Sequence, residues 1–213
     1  MSSETIISVI IGALISIFIT IVYERLRKPH LRFEIETPPL DITYNGTEPA
    51  KNARFLRVVL WNDPFQLLVR ETAMHCQGEI QFYHIEDGVP LFMKNMRLRW
   101  AGSEEPFSPQ MRPDGTIENI FDITKYNSSF FRDCFSGSKE TIDVVARFDD
   151  DEECYVWTSD YAIKGWKNKE RMIPKGRYLV KIIVFSAGEK ISALFQLENS
   201  ITRKDFRLTP ANF

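Results

Sequence analysis

One stretch near the start constrains this chain more than any other. Thr5 to Tyr23 reads TIISVIIGALISIFITIVY and carries no charged side chain. At about 1.5 Å rise per residue, a helix over it covers about 28 Å, close to the hydrocarbon core of a bilayer. A transmembrane helix over residues 5–23 is therefore expected, preceded by a short flank of residues 1–4. A cleaved secretory signal would open on basic residues and end on small ones. Here Met1-Ser2-Ser3-Glu4 precedes the run and Glu24-Arg25-Leu26-Arg27-Lys28 follows it. A buried core helix would be shorter and would keep a polar face.

The flanks also set an orientation. Arg25, Arg27, Lys28 and Arg32 follow the helix, and no basic side chain precedes it. Basic segments stay on the cytoplasmic side. The N-terminus is therefore expected outside the cell membrane and residues 24–213 in the cytoplasm. Within the helix, Ser8, Gly12, Ser16 and Thr20 recur every fourth residue and share one face. Small residues at that spacing permit close helix approach, so self-association through this face is expected.

After a basic junction over residues 24–30, alternation of apolar and polar residues begins at Leu31. Strands are expected over 53–62, 72–85, 91–100, 117–123, 141–148 and 154–158. Arg177 to Ser186 and Lys190 to Asn199, joined by Ala187-Gly188-Glu189, form the clearest hairpin. Inward positions are read as Leu56, Val58 and Leu60; Met74, Cys76, Ile80 and Phe82; Phe92, Met96, Leu98 and Trp100; and Ile142, Val144, Ala146 and Phe148. Asn45-Gly46 closes a short edge strand, and Phe65 to Val69 is an apolar insertion without a place. Pro106, Pro109 and Pro113 mark a loop, and Asp160 to Lys169, with Trp166, reads as another. One short helix is expected over Tyr126 to Phe135, with Ser128 or Ser129 as its cap. Strands without regular strand–helix alternation predict an antiparallel β-sandwich over 31–200, with a tail over 201–213 that offers a last short strand at Phe206-Arg207-Leu208.

Pro174-Lys175-Gly176-Arg177-Tyr178 resembles the strand entry of immunoglobulin-like and fibronectin type III-like sandwiches. That resemblance implies that the Tyr178 hydroxyl holds the preceding turn. Val180 stands where an antibody domain has cysteine. The wider order, with Lys28-Pro29-His30-Leu31, Phe55 to Asn62 and Arg97 to Ala101, resembles uncharacterised single-pass prokaryotic membrane proteins. It implies an architecture and supplies no catalytic residue.

Charge and chemistry narrow the function classes. The net charge is −2, from 27 basic and 29 acidic residues, and the first 32 residues hold four and two of these. The rest is mildly acidic, which argues against a general nucleic-acid binder. Cys76, Cys134 and Cys154 are odd in number and widely spaced, which suits reduced, buried thiols in a cytoplasmic domain. Asn45-Gly46-Thr47 and Asn127-Ser128-Ser129 match the glycosylation pattern, which matters only outside the cytosol. His30, His75 and His84 have no zinc-ligand spacing, and no phosphate loop, nucleophile elbow or cofactor motif is found. In the acidic run 149–153, Asp149, Asp151 and Glu153 are weighed as calcium ligands against a solvated hairpin tip. Phe55, Val59 and Trp61 share one outward face, Leu179, Ile183 and Phe185 another, and Arg97 and Arg99 a third. Exposed, these would form a contact surface, with the arginines suited to a small anion; covered, the apolar ones are core.

The expectation is a membrane-anchored cytoplasmic recognition or scaffold module. Its partners would be the bilayer and a protein or a second copy, and clustering of the helix would relay a signal or perturb the membrane, as in a prokaryotic defence effector. The alternatives are an enzyme with a loop-built site and an extracytoplasmic binding domain of inverted topology.

Overall fold

The computed structural model describes residues 3–44, 51–65, 70–165, 167–186 and 189–211. The Asn45-Gly46 turn and glycosylation match, most of the Phe65 to Val69 insertion, Trp166 and the Ala187-Gly188 turn lie outside these. In chain order the elements are α1 (Ser3–Arg27), β1 (Leu31–Ile35), β2 (Leu40–Tyr44), β3 (Lys51–Asn62), β4 (Ala73–His84), β5 (Met96–Arg97), β6 (Arg99–Trp100), β7 (Phe107–Met111) and β8 (Ile117–Phe121). There follow α2 (Ile123–Ser128), β9 (Arg132–Cys134), β10 (Lys139–Phe148), β11 (Cys154–Val156), α3 (Tyr161–Lys164), β12 (Met172–Ile173), β13 (Gly176–Ser186), β14 (Glu189–Asn199) and β15 (Arg207–Pro210).

Two antiparallel sheets form the body. One runs β1-β3-β10-β11-β12, with β2 also on β3 and β6 also on β10. The other runs β15-β14-β13-β4-β5, with β9 also on β4. Between them lies one core, where Leu56, Val58 and Leu60 of β3 join Ile80 and Phe82 of β4 and Val180, Ile182 and Val184 of β13. Each large apolar side chain buried there contributes about 1.5–3 kcal/mol, which is what holds the sheets together. The β13–β14 hairpin pairs in unbroken register from Gly176–Asn199 to Ser186–Glu189. The Tyr178 hydroxyl donates to the Pro174 carbonyl at 3.1 Å and holds the turn before β13.

Simple alternation fails at three places, each for a backbone reason. In β4, His75 takes φ 50° and the pairing with β9 slips between Ala73 and Cys76. Ala73 therefore faces the core, and Met74, expected inward, is 44 % exposed. In β10 a bulge lies between Asp143 and Val145. Val144 and Val145 both join the central core, while Ala146 and Phe148 turn to a second cluster with Ala53 and Phe55. Leu91 to Trp100, expected as one strand, pairs with β4 through β5 and then with β10 through β6, so the chain changes sheets at Leu98.

The short elements differ as well. Asp122, not a serine, caps α2: its carboxylate accepts from the Thr124 and Lys125 amides, and Ser129 closes the other end. Of the rest of the expected helix, Arg132 to Cys134 is β9. A second short helix, α3, stands where a loop was expected. β7 forms inside the proline-marked segment and pairs with β8 as a separate ribbon. The short strand offered at Phe206 to Leu208 is present as β15, one residue later; it pairs with β14, and Phe206 beside it is fully buried, so this part of the tail belongs to the sandwich.

Candidate functional site: a clamped junction and an amphipathic groove

α1 is long and apolar enough to cross a membrane, and among the described residues none buries its apolar window. On its small-residue face, the Ser16 hydroxyl donates to the Gly12 carbonyl and that of Thr20 to the Ser16 carbonyl, both at 2.9 Å. A methyl added at Gly12 would meet nothing within 4 Å, so the face is open.

The end of α1 is fastened to the sandwich. A helix ends with carbonyls that have no partner of its own, and these need one. Here the Glu71 amide donates to the Arg27 carbonyl at 2.6 Å, and Arg70 donates to the Lys28 carbonyl at 3.3 Å. The Asn62 side chain accepts the His30 amide at 3.0 Å and donates to the carbonyls of Glu71 and Cys134 at 2.9 and 3.1 Å. The Asp63 amide donates to the His30 carbonyl at 2.9 Å. Arg27 pairs with Glu71 at 3.5 Å and Lys28 with Glu189 at 3.6 Å, adding charge to the same joint. The junction is therefore a bracket and not a flexible tether.

A groove of about 420 Å³ opens on the outer face of the second sheet, over β4, β5 and β13. Arg97, Glu79, Gln77 and Asn127 supply its polar groups, and Phe130, Phe131 and Phe185 its rings. The Arg97 guanidinium lies 4.6 Å from the Phe130 ring centre. Among the described residues no carboxylate lies within ion-pair distance of it. Glu79 accepts from Asn95 at 2.9 Å. A cation held over a ring, beside a carboxylate and an amide in an apolar cleft, suits binding of a polar ligand with an apolar body.

The expected contact residues do not meet on one surface. Arg97 is exposed in this groove, with Phe185 from another expected face. Phe55 and Val59 are buried, and Phe55 packs edge-on against Trp157 at 5.0 Å. Trp61 is half-buried under Arg32 and Lys139, at 3.8 and 4.7 Å from its ring. Ile183 is buried and Leu179 half-buried. Arg99 is 7 % exposed, because the change of sheets places it opposite Asp143. Asp143, 1 % exposed, accepts from Arg57 at 2.7 Å and from Arg99 at 2.6 Å, and Arg99 also donates to Glu105 at 2.7 Å. These arginines are neutralised inside the fold and do not face a ligand.

Asp149 pairs with Arg203 at 2.5 Å and Asp151 with Lys167 at 2.6 Å. Among the described residues, no group of three or more His, Cys, Asp or Glu converges as a metal site would, and Glu153 joins none. Cys76, Cys134 and Cys154 are free and buried, and burial pushes all three thiols up. His75 lies 6.3 Å from the Phe131 ring and His84 5.7 Å from Tyr178. Beside α2, Tyr126 donates to Asp160 at 2.7 Å; burial first, and then Asp160, pushes its phenol up to about 12. Arg171 reaches the same carboxylate.

Asn62 and Glu71 were not singled out by sequence reasoning. Asn62 did leave a trace, since it continues the inward parity of Leu56, Val58 and Leu60, where an amide needs a reason. No family model, curated protein or solved structure matches this chain.

Proposed function

We propose that this protein is a single-pass, membrane-anchored recognition module. α1 crosses the cell membrane with its N-terminus outside and holds the sandwich in the cytoplasm, where the groove beside Arg97 receives a protein segment or a small anionic ligand. The observation that carries this reading is the bracket at Arg27 to His30. A helix whose apolar window is not buried by any of the described residues runs, without slack, into hydrogen bonds with Asn62, Glu71 and Arg70. A shift or clustering of the helix then moves the sandwich with it, and binding at the sandwich is felt at the helix.

Supporting the orientation, Arg25, Arg27, Lys28 and Arg32 gather just past the apolar run. Supporting the resemblance to immunoglobulin-like sandwiches, Tyr178 holds the Pro174 turn. The small-residue face of α1, from Ser8 to Thr20, is the surface along which copies would cluster.

The test is protease treatment of sealed cytoplasmic-side-out membrane vesicles. The sandwich is digested at once, while the chain stays in the membrane pellet after alkaline washing. A sandwich protected until the vesicles are opened reverses the orientation. A chain released by the wash removes the anchor.

A further inference from the structure

The β7–β8 ribbon stands apart from both sheets, and its two edges are not equivalent. Two backbone bonds bracket it: the Arg112 amide donates to the Thr116 carbonyl at 2.8 Å, and the Asp122 amide to the Pro106 carbonyl at 3.0 Å. Pairs in an antiparallel ribbon alternate between bonded and non-bonded. With the register Phe107–Phe121 to Met111–Ile117, the bonded pairs inside that bracket are Ser108–Ile120 and Gln110–Glu118. Ile117, Asn119 and Phe121 therefore turn their backbone groups away from β7. On the opposite edge, Pro109 is among the residues turned outward and has no amide hydrogen to offer.

The ribbon thus has one closed edge and one open one. All five residues of β8 are exposed, Ile117 at 69 %. Among the described residues, no backbone bond reaches the outer side of Ile117, Asn119 or Phe121. Sheets guard such edges with lysine, proline or a bulge. β8 reads Ile-Glu-Asn-Ile-Phe and has none of these, and its one charge, Glu118, is held by Arg112 of the same ribbon at 2.6 Å.

We propose that β8 pairs antiparallel with β8 of a second copy of this chain, about a two-fold axis through Asn119. In that register the outward backbone groups meet directly. Ile117 lies opposite Phe121 of the other copy, and the two Asn119 residues face each other at the centre. Apolar meets apolar on one face of the ribbon, and each asparagine amide both gives and accepts. A foreign strand would have to supply the same self-matching order, which a second copy has by construction. The contact is closed and isologous, so it stops at two. Pro109 at each far edge prevents further addition. A pairing of two short ribbons buries little area, so it needs the copies brought close, and a shared membrane raises their effective concentration. Its strength thus rests on the anchor reading, while its geometry does not.

Disulfide crosslinking of the full chain, in membranes and after extraction into mild detergent, tests this. The Cα atoms of a bonded antiparallel pair lie about 5.5 Å apart, within disulfide reach. The native cysteines are buried. Asn119→Cys is expected to give a disulfide dimer under mild oxidant. Gln110→Cys, on β7 with two strands between it and its counterpart, is expected to give only background. Adding Ile117→Pro to Asn119→Cys removes an outward amide and is expected to bring the dimer down to that background. Equal yields from Asn119→Cys and Gln110→Cys overturn the proposal, as does a yield indifferent to Ile117→Pro, which would signify collision. Crosslinks only to another protein make β8 a docking edge for a different partner and also overturn it. A dimer formed in a chain that alkaline washing releases would refute the anchor and leave the pairing standing.

Discussion

The backbone amide of His30 donates to Oδ1 of Asn62 across 3.0 Å. Through this bond the last strand residue of β3 holds the first residues after a membrane-length helix. Asn62 is fully buried and its amide also serves Glu71 and Cys134. Asn62→Ala leaves three backbone groups short of a partner, each costing about 1–3 kcal/mol if water does not replace it. The expected outcome is a loss of about 2–4 kcal/mol in denaturant unfolding of the detergent-solubilised chain. Hydrogen exchange should quicken first at the His30 amide. Unchanged protection there would show that the joint does not depend on Asn62.

Asp143 is the only carboxylate shared by Arg57 and Arg99 among the described residues. Asp143→Ala strands Arg99 inside the fold, where it keeps Glu105 and the face of the Tyr161 ring. Removing one partner of a buried ion pair costs about 3–5 kcal/mol. The chain is expected to unfold at correspondingly lower denaturant, and Arg57→Met with Arg99→Met added should restore part of the loss. A midpoint unchanged by Asp143→Ala would show that water already reaches these charges.

Gly78 has no room for a side chain. A methyl there would lie 2.1 Å from Cδ2 of Leu98 and 2.7 Å from the Ile183 carbonyl oxygen. Leu98 can turn, but the carbonyl belongs to the β13 backbone. Gly78→Ala should cost about 1–3 kcal/mol, as overpacking does. Trimming Leu98 as well should recover none of it, because the backbone clash remains. Thermal melting of the single and double variants reads this.

Asp41 carries the acid sensitivity of the β2 edge. Its hydrogen bond to Arg54, helped by Arg203, holds its pKa down to about 2 against opposing desolvation. A carboxyl depressed in the folded state adds stability above its unfolded pKa, about 3.9, and loses it as pH falls toward 2. The group is partly solvent-exposed, so the contribution is small. Asp41→Asn is expected to flatten the stability curve between about pH 4 and pH 2, and to lower stability slightly near neutrality without changing its slope there. A slope unaltered in that window would rule Asp41 out.

Much of this protein was legible in the sequence. Thr5 to Tyr23 announces its helix by length and lack of charge. The β13–β14 hairpin follows from alternation over two full strands, because every second side chain must enter the core. Tyr178 on the Pro174 turn was readable from the motif before β13. What alternation cannot carry is a break in its own period. The left-handed turn at His75 and the bulge beside Val144 shift parity by one, so Met74 emerges and Phe148 joins a second core. The change of sheets at Leu98 sends Arg99 inward to Asp143, a residue that lies 44 positions away in the chain. Side-chain periodicity is a local property and was settled by the sequence alone. Whether a face is covered, and which charges meet, depends on which distant strands pair, and only the tertiary structure decided that.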